Sequence, residues 1–286
     1  MIYVLLLVAV TAVWGWTFVL VKEAISQYPT VPFLAIRFAV ALAVLALAVR
    51  RRPSARVLRV GALIGLTVAA GYLTQTVGLA LTSPGVAGLL TGLFVVFTPL
   101  LELALGRAVP PRTGVAVVLA LAGTALLTGG AGGGSALGDG LVVAAALCFA
   151  LQIVLLGRWA PGLPPAQLAM VQMGTAAVVF SALGSTQIRV PGGGVWFAIL
   201  VTGVLASALA FFAQTWAQTH LSPSRTALIL SLEPAWALLF AVLLAGQRLD
   251  AAQGAGAALV LAAIVGHEAA GLRRLGPRPG GSARPA

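Results

Sequence analysis

"GYLTQTVGLALTSPGVAGLL" (residues 71–90) returns in altered form as "AFFAQTWAQTHLSPSRTALI" (residues 210–229). An aromatic residue, a Gln-Thr pair and a Ser-Pro pair recur at one constant spacing, the main repeat spacing: Tyr72 and Phe211, Gln75-Thr76 and Gln214-Thr215, and Ser83-Pro84 and Ser222-Pro223. A weaker match sets Thr17 of "WGWTF" opposite Gln152 of "FALQI", which defines the N-terminal repeat spacing. The order of these matches indicates an internal repeat, with one structural unit present twice.

The composition indicates a membrane protein. Hydrophobic residues make up 60% of the chain and charged residues 8%, which is too few to cover the surface of a soluble domain. The apolar residues form runs of about 17–25, the length that crosses a bilayer as a helix. Because lipid offers the backbone no hydrogen-bond partners, these runs are predicted to be helices, and the alternation typical of a β-barrel is missing. We therefore predict an all-α polytopic membrane protein.

Ten transmembrane helices are predicted, five on each side of the glycine-rich segment "GGAGGGSALGDG" (129–140). They lie near residues 2–21, 31–49, 60–81, 84–104, 112–128, 136–157, 165–185, 194–219, 223–245 and 250–268. Since five is an odd number, the second copy enters the membrane from the opposite face, which makes two inverted five-helix repeats, typical of secondary transporters. The predicted boundaries are a first repeat at 1–130, a linker at 131–138, a second repeat at 139–270 and a disordered basic tail at 271–286.

The net charge of +11 is distributed unevenly over the predicted loops. With ten spans, one side carries both termini and most arginines: Arg50, Arg51, Arg52, Arg56, Arg59, Arg107, Arg112, Arg158, Arg225, Arg273, Arg274, Arg278 and Arg284. The other side carries Lys22, Arg189 and Arg248, nearly balanced by Glu23, Asp139 and Asp250. This bias predicts cytoplasmic N- and C-termini in the cell inner (plasma) membrane, and contact with anionic lipids rather than with nucleic acid.

Four stretches carry a further signature: "VWGWTFVLVKEA" (13–24), "AIRFAVALAVL" (35–45), "TSPGVAGLLTGLFVVFTPLLELALGR" (82–107) and "LSPSRTALILSLEPAWALLFAVLLAGQRL" (221–249). Together they resemble the drug/metabolite transporter superfamily, specifically its ten-helix members with two EamA-type repeats. The resemblance covers residues 1–270. One departure is that repeats of this family often end with Gly-Glu, whereas Gly106-Arg107 and Gly246-Gln247 stand here. Any role of that glutamate is therefore not transferred to this chain.

The resemblance implies a central cavity between the repeats, lined mainly by spans one, three, four, six, eight and nine. The fifth span of each repeat is expected at the edge of the bundle, where it could support dimerisation, so either a monomer or a homodimer is expected. Many relatives export amino acids or other small metabolites, which makes a small-molecule substrate the expected partner.

Glu233 is the most unusual residue of the predicted spans. The segment "ILSLEPAWALL" (229–239) places this acid directly before Pro234 in an apolar run. A charge at the bilayer centre costs about 2.5–3.5 kcal/mol on insertion scales, so such residues usually face a cavity. Because Pro234 has no N–H, it is expected to free the carbonyl of Leu230. We predict that Glu233 either couples protons to transport or binds a substrate ammonium group, with coupling as the assigned role. The alternative is a protonated Glu233 that links helices through a hydrogen bond.

The other candidate residues follow from the repeat and from their depth in the membrane. The predicted substrate-binding residues are Trp14, Trp16, Thr17, Tyr72, Gln75, Gln152, Phe211, Gln214, Gln218 and Trp236. Buried amides either bond across helices or line a transport path, and the deep tryptophans either form an aromatic wall or pack between helices. Pro99 and Pro234 are predicted hinges, with a packing kink as the alternative for Pro99.

Three further polar residues have simpler predicted roles. Arg37 either pairs with Glu23 or extends to the membrane surface, and binding of a substrate carboxylate is a minority alternative. Glu102 is expected to pair with Arg107 or to lie among the headgroups, and His267 to lie at a solvated helix end. Two distant histidines and a single cysteine predict no metal site, and no cofactor is expected.

The predicted function is secondary active or facilitative export of small metabolites by alternating access, with amino acids or related zwitterions as substrates and protons as a second partner. Two alternatives stay open: export of multiple drugs or cationic compounds, and a membrane-embedded lipid-handling protein or enzyme. An enzyme is not expected, because six acidic residues scattered over the chain do not supply the cluster that an intramembrane active site requires.

Overall fold

The computed structural model describes residues 1–82, 84–127, 135–245 and 251–272. These residues form helices joined by turns and short connections, without a β-strand, so the prediction of an all-helical chain is confirmed for this part of it. Several features named above lie outside the described residues: Ser83, residues 131–134 of the predicted linker, Gly246-Gln247 with Arg248 and Asp250, and residues 273–286 of the predicted tail.

The first half of the chain forms α1 (Ile2–Gln27), α2 (Thr30–Ala48), α3 (Ala55–Leu81), α4 (Pro84–Thr91), α5 (Phe94–Ala104) and α6 (Pro111–Leu127). The second half forms α7 (Ala136–Trp159), α8 (Pro165–Gly184), α9 (Gly193–Val201), α10 (Ala210–Gln218), α11 (Pro223–Leu230), α12 (Glu233–Ala245) and α13 (Ala251–Leu272). A π-helical segment, Thr202–Leu209, joins α9 to α10. In the described part, six helical stretches are long and apolar enough to cross a membrane: Ile2–Gln27, Thr30–Ala48, Ala55–Leu81, Ala136–Trp159, Pro165–Gly184 and Gly193–Ala217.

Two of the predicted spans are broken helices, and their breaks match each other at the main repeat spacing. Helices α4 and α11 begin at Pro84 and Pro223, and α5 and α12 resume at Phe94 and Glu233, so both pairs of starts keep this spacing. Proline suits the first turn of α11 because the N–H groups of a first turn have no partner inside the helix. The side chain of Ser222 accepts a hydrogen bond from the backbone N–H of Arg225 in the same turn.

The helix that was predicted to run continuously past Pro234 is broken before this residue. Helix α11 already ends at Leu230, and the N–H groups of Ser231 and Leu232 bond back to Leu228 and Ile229 in a turn. Pro234 therefore lies in the first turn of α12, where it removes no helical bond. Pro99, in contrast, lies inside α5.

The π-helical segment brings α2 close to the second half of the chain. Gly203 of this segment faces the backbone of α2, and a Cβ atom at this position would lie 2.9 Å from the carbonyl oxygen of Arg37. Single-turn π segments inside α-helices occur frequently at functional sites. Here the segment carries Ser207, which contacts the Arg37 side chain.

Packing between the two halves involves pairs of helices with the same rank in each half. Helix α2 packs on α8 and α6 packs on α13, while α3 lies against α7 and α8, and α1 against α10 and α12. Association of apolar helices in lipid depends on close backbone approach rather than on burial from water. Gly157 of α7 illustrates this, because a Cβ atom there would overlap the ring of Pro223.

The helices form a bundle with two distinct ends. At the first, which we call the Tyr28 end, the hydroxyl of Tyr28 donates to the carbonyl of Arg189, and Lys22 donates to three carbonyls at the end of α3. At the second, the His220 end, Tyr3 stacks on His220 with ring centroids 4.1 Å apart. The start of α1 and the end of α13 both lie at the His220 end, since His267 of α13 bonds to Thr113 at the start of α6.

Candidate functional site

One cavity lies between the two halves of the bundle, with about 680 Å³ of space that no protein atom fills, its opening included. Seven pairs of lining residues stand at matching positions of the repeat. Three pairs follow the N-terminal repeat spacing: Trp14 and Phe149, Thr17 and Gln152, and Phe18 and Ile153. Four pairs follow the main repeat spacing: Tyr72 and Phe211, Gln75 and Gln214, Thr91 and Leu230, and Phe94 and Glu233.

Four lining residues have no matching partner in the wall. They are Val21, Arg37, Thr76 and Leu79, all from the first half of the chain. Val21 and Leu79 lie near the ends of α1 and α3, at the Tyr28 end. Their counterparts in the second half, Leu156 and Gln218, are buried outside the lining. The cavity therefore extends farther toward the Tyr28 end than toward the His220 end.

Arg37 is a buried cation in the wall of this cavity. Its side chain is 3% exposed, its Nε donates to the hydroxyl of Ser207 at 2.9 Å, and its Nη2 donates to the hydroxyl of Tyr72 at 3.4 Å. The guanidinium carbon also lies 4.6 Å from the centre of the Tyr72 ring, a cation–π distance. Within the described residues the guanidinium forms no ion pair. The expected pairing with Glu23, or extension to the membrane surface, is wrong because the π-helical segment and α3 enclose this side chain.

Buried amides form a connected network beside the cavity. The amide nitrogen of Gln214 donates to the oxygen atoms of Gln152, at 3.0 Å, and of Gln218, at 3.1 Å. Gln218 in turn donates to the carbonyl of Ile153 on α7. Because both acceptors fix the orientation of the Gln214 amide, its oxygen is left buried without a donor among the described residues. A buried acceptor without a donor is costly, so this oxygen is a candidate partner for an N–H or O–H group of a bound molecule.

Glu233 opens helix α12 at the edge of the cavity. Its side chain is 8% exposed and forms neither a hydrogen bond nor an ion pair with another described residue. The expected alternative, a protonated Glu233 that donates to a neighbouring carbonyl, therefore has no matching bond in this part of the chain. Phe94 occupies the corresponding position in the first half.

The structure brings eight of the predicted binding and coupling residues into one wall: Trp14, Thr17, Tyr72, Gln75, Gln152, Phe211, Gln214 and Glu233. Trp16, Gln218 and Trp236 lie outside the lining, and so do the predicted hinges Pro99 and Pro234. Gln218 faces the α7 backbone instead, and Trp236 stacks with Phe240 along α12. The roles of all these residues in binding, coupling and bending stay predictions.

Two polar residues near the His220 end are more enclosed than the sequence indicated. Glu102 is 3.8 Å from Arg107, as expected, but it also accepts hydrogen bonds from the backbone N–H and the hydroxyl of Ser224 in the first turn of α11. His267 is buried and bonded to Thr113 at 3.1 Å, so the expectation of a solvated helix end is wrong. Packing of α6 on α13 accounts for this, because it covers the end of α13.

With this geometry in place, comparison with known proteins assigns the chain. The EamA-like transporter family matches residues 1–129 and 136–267. The chain belongs to this family. An uncharacterized transporter of Archaeoglobus fulgidus is 30% identical over 263 residues, which cover 91% of this chain and 83% of the relative. A solved crystal structure, described only as that of a protein, superimposes with a TM-score of 0.78 over 96% of this chain and 99% of the other. Its 21% sequence identity supports the fold alone.

The cavity of this EamA-like transporter is lined by the cationic residue Arg37, which was not among the predicted substrate-binding residues. Arg37 carries a sequence signal, since it is a lone charge about two turns into an apolar helix, and such residues usually face a cavity. Thr91, Phe94 and Phe149 were also not predicted. The repeat could have identified two of them. Phe94 matches Glu233 at the main repeat spacing, and Phe149 matches Trp14 at the N-terminal repeat spacing.

Proposed function

We propose that this EamA-like transporter exports small metabolites, with amino acids or related zwitterions as its substrates, by secondary active or facilitative transport. The observation that carries the proposal is the cavity, where Arg37, Glu233 and several amides face one space between the two halves. A zwitterion suits this lining because each of its charged groups finds a group of opposite charge or a hydrogen-bond partner.

We further propose ten membrane crossings in two inverted repeats. The helix bounds support this, because counting α4 with α5, α9 with α10, and α11 with α12 as single crossings gives ten. The contacts α2–α8 and α6–α13 also fit, since each joins helices of equal rank in the two halves, as a pseudo-two-fold axis in the membrane plane requires.

We propose transport by alternating access, which the same symmetry supports. The cavity is lined by matched pairs and by four unmatched residues, of which Val21 and Leu79 lie toward the Tyr28 end. In the opposite state, the counterparts of the unmatched residues would line the cavity toward the His220 end. These counterparts are Leu156, Gln172, Thr215 and Gln218. Exchange between the two states carries the substrate across the membrane.

The His220 end is proposed to face the cytoplasm. Its described loops and helix ends carry most of the arginines: Arg50, Arg51, Arg52, Arg56, Arg59, Arg107, Arg112, Arg158 and Arg225. The Tyr28 end carries Lys22 and Arg189 among the described residues. An excess of basic residues on one side is typical of the cytoplasmic face, so both described chain ends would lie there, in the inner membrane.

Export of cationic compounds is the second candidate. Trp14, Tyr72, Phe149 and Phe211 give the cavity an aromatic wall, and Tyr72 lies 5.3 Å from Phe149 between ring centroids. Aromatic faces together with the Glu233 carboxyl would attract an organic cation. Arg37 opposes this candidate, because its positive charge repels a cation in the same space.

Counterflow in proteoliposomes tests the proposal. Purified protein is reconstituted into liposomes loaded with one unlabelled amino acid, and uptake of the labelled form is followed, with protein-free liposomes as the control. We expect at least one amino acid to exchange. Exchange of labelled organic cations, with no amino acid moved by a monodisperse preparation, would contradict the proposal and favour the second candidate.

A further inference from the structure

The Arg37 side chain has unused hydrogen-bonding capacity that points to an anionic ligand. A guanidinium group has five N–H donors in a rigid fork. Two of them are engaged, one by Ser207 and one by Tyr72, so both hydrogens of Nη1 and one of Nη2 have no protein acceptor among the described residues. Because Nη1 and Nη2 each keep a free N–H, the guanidinium can bind a carboxylate through two hydrogen bonds.

The buried position of Arg37 argues against a purely structural role, because burying an unpaired charge costs free energy. The residue lies in the transmembrane helix α2, is only 3% exposed, and has no acidic partner in the described part of the chain. A buried charge without a counter-ion is costly unless something pairs with it. Its counterpart in the second half, at the N-terminal repeat spacing, is the neutral Gln172, whose amide nitrogen donates to Thr215 and to a backbone carbonyl. The corresponding position of the second half therefore carries no charge.

The same cavity also has hydrogen-bond acceptors that need a donor, on Gln214 and Glu233. The oxygen of Gln214 is a buried acceptor that no described residue satisfies, and the Glu233 carboxyl lines the same cavity. Acceptors of this kind fit an ammonium group. Tyr72 and Phe211, with ring centroids 6.0 Å apart, and Trp14, 5.8 Å from Phe211, supply an apolar surface beside these polar groups.

We infer that Arg37 is the anchor for a substrate carboxylate, held in place by Ser207 and Tyr72, and that Gln214 and Glu233 accept hydrogen bonds from the ammonium group of the same molecule. This inference rests on the proposed function and makes it more specific. The substrate is an amino acid with a free carboxylate, and compounds that lack this group bind far more weakly.

Competition between four related compounds tests the inference. For the leucine series, L-leucine is compared with three analogues. L-Leucinamide carries a neutral amide in place of the carboxylate, and isopentylamine lacks the whole carboxyl group. The third analogue, 4-methylpentanoate, lacks the ammonium group. The corresponding series is used for whichever amino acid exchanges best. We expect the amide and the amine to inhibit counterflow at least about 30-fold more weakly than the amino acid, as loss of one partner of a buried charge pair predicts.

Variants of Arg37 provide the second arm. Arg37→Gln is expected to raise the half-saturating concentration of the amino acid about 30-fold or more and to leave inhibition by the amine within about twofold. Arg37→Lys retains the charge without the fork and is expected to lie between Arg37→Gln and the wild type. Arg59→Gln is the matched control, because it removes an exposed arginine outside the cavity.

The two arms separate failure of the inference from failure of the proposed function. If the wild type exchanges amino acids but accepts the amide equally well, and Arg37→Gln behaves like Arg59→Gln, the inference is wrong and the proposed function stands. If no amino acid exchanges, both are wrong. Should Arg37→Gln fail to fold, Arg37→Lys and the ranking of the four compounds on the wild type still decide. Thermal stabilisation of detergent-solubilised protein by each compound gives an independent measure of binding.

Discussion

The two broken helices, α4–α5 and α11–α12, have the same backbone layout but carry different side chains at the cavity. In both, a helix of eight residues starts at a proline, and the chain resumes as a new helix after a two-residue break. The first residue after each break lines the cavity, and it is Phe94 in one half and Glu233 in the other. The repeat thus determines where the helices break, while the side chains at matched positions, such as Phe94 and Glu233, determine what each half contributes to the cavity.

A second difference lies at the starts of these helices. The carboxylate of Glu102 accepts the backbone N–H and the hydroxyl of Ser224 in the first turn of α11, where the helix dipole favours a negative charge. The residue that corresponds to Glu102 in the second half is Ala241, so that half has no carboxylate at this position. The Glu102 contact joins the two halves at the His220 end, and we expect it to favour the closed state of the cavity there.

The largest effect is expected for water access at matched positions. Phe18 and Ile153 both line the cavity, but Phe18 is partly exposed and Ile153 is buried. In a protein whose own cysteine is replaced (Cys148→Ser), we expect a membrane-impermeant maleimide to modify Phe18→Cys at least about tenfold faster than Ile153→Cys, which corresponds to about 1.4 kcal/mol between the two states. Equal rates would contradict the asymmetry of the two halves.

Loss of the Glu102 contact is expected to reduce that asymmetry. A hydrogen bond to a charged group contributes about 1.5–3 kcal/mol, so Glu102→Ala should raise the modification rate of Ile153→Cys by about tenfold or more. Glu23→Ala, which removes an exposed acid near the Tyr28 end, is the control and should leave the rate unchanged. An unchanged rate in Glu102→Ala would mean that Ser224 and Glu102 do not hold the His220 end closed.

The two matched glutamines should differ in their contribution to stability. Gln214→Ala removes the donor shared by Gln152 and Gln218 and leaves buried acceptors unsatisfied, at a cost of about 1–3 kcal/mol. Among the described residues, the Gln75 side chain bonds to Thr91 at 3.1 Å, and loss of this single bond should cost about 1 kcal/mol or less. Thermal unfolding in detergent measures both, and a larger loss for Gln75→Ala would contradict the role of the amide network.

The smallest effects are expected at the two prolines. Pro99 lies inside α5, where a proline removes a helical hydrogen bond, whereas Pro234 lies in a first turn, where it removes none. We therefore expect Pro234→Ala to change the exchange rate by less than about twofold, and Pro99→Ala to change it more, because alanine restores a helical bond worth about 1 kcal/mol. The reverse order would make Pro234 the hinge.

Much of this organisation could be predicted from the sequence, because it depends on periodicity. Matching Gln75 with Gln214 at the main repeat spacing identifies positions that face the same cavity, and the depth of Glu233 in an apolar run identifies an acid with a special environment. Both features are local or periodic, and a single chain contains the information for them.

The rest depends on how helices rotate against each other. Trp16, which follows Trp14 closely in α1, lies outside the cavity lining, and composition does not indicate which of the two faces inward. Arg37 became a cavity residue because Gly203 allows α2 to approach the π-helical segment, a tertiary contact between distant parts of the chain. The break before Glu233 was also not predicted, because Pro234 suggested a hinge inside one continuous helix instead.

The most direct test of the account asks whether the acid that distinguishes the two broken helices couples protons to transport. Proteoliposomes with a pH gradient of one unit are prepared with the wild type and with Glu233→Gln, and accumulation of the amino acid identified by counterflow is compared with exchange at equal pH. One proton per substrate allows up to about tenfold accumulation per pH unit. We predict accumulation by the wild type, and exchange without accumulation by Glu233→Gln. Accumulation by Glu233→Gln equal to that of the wild type would contradict the assignment of coupling to Glu233.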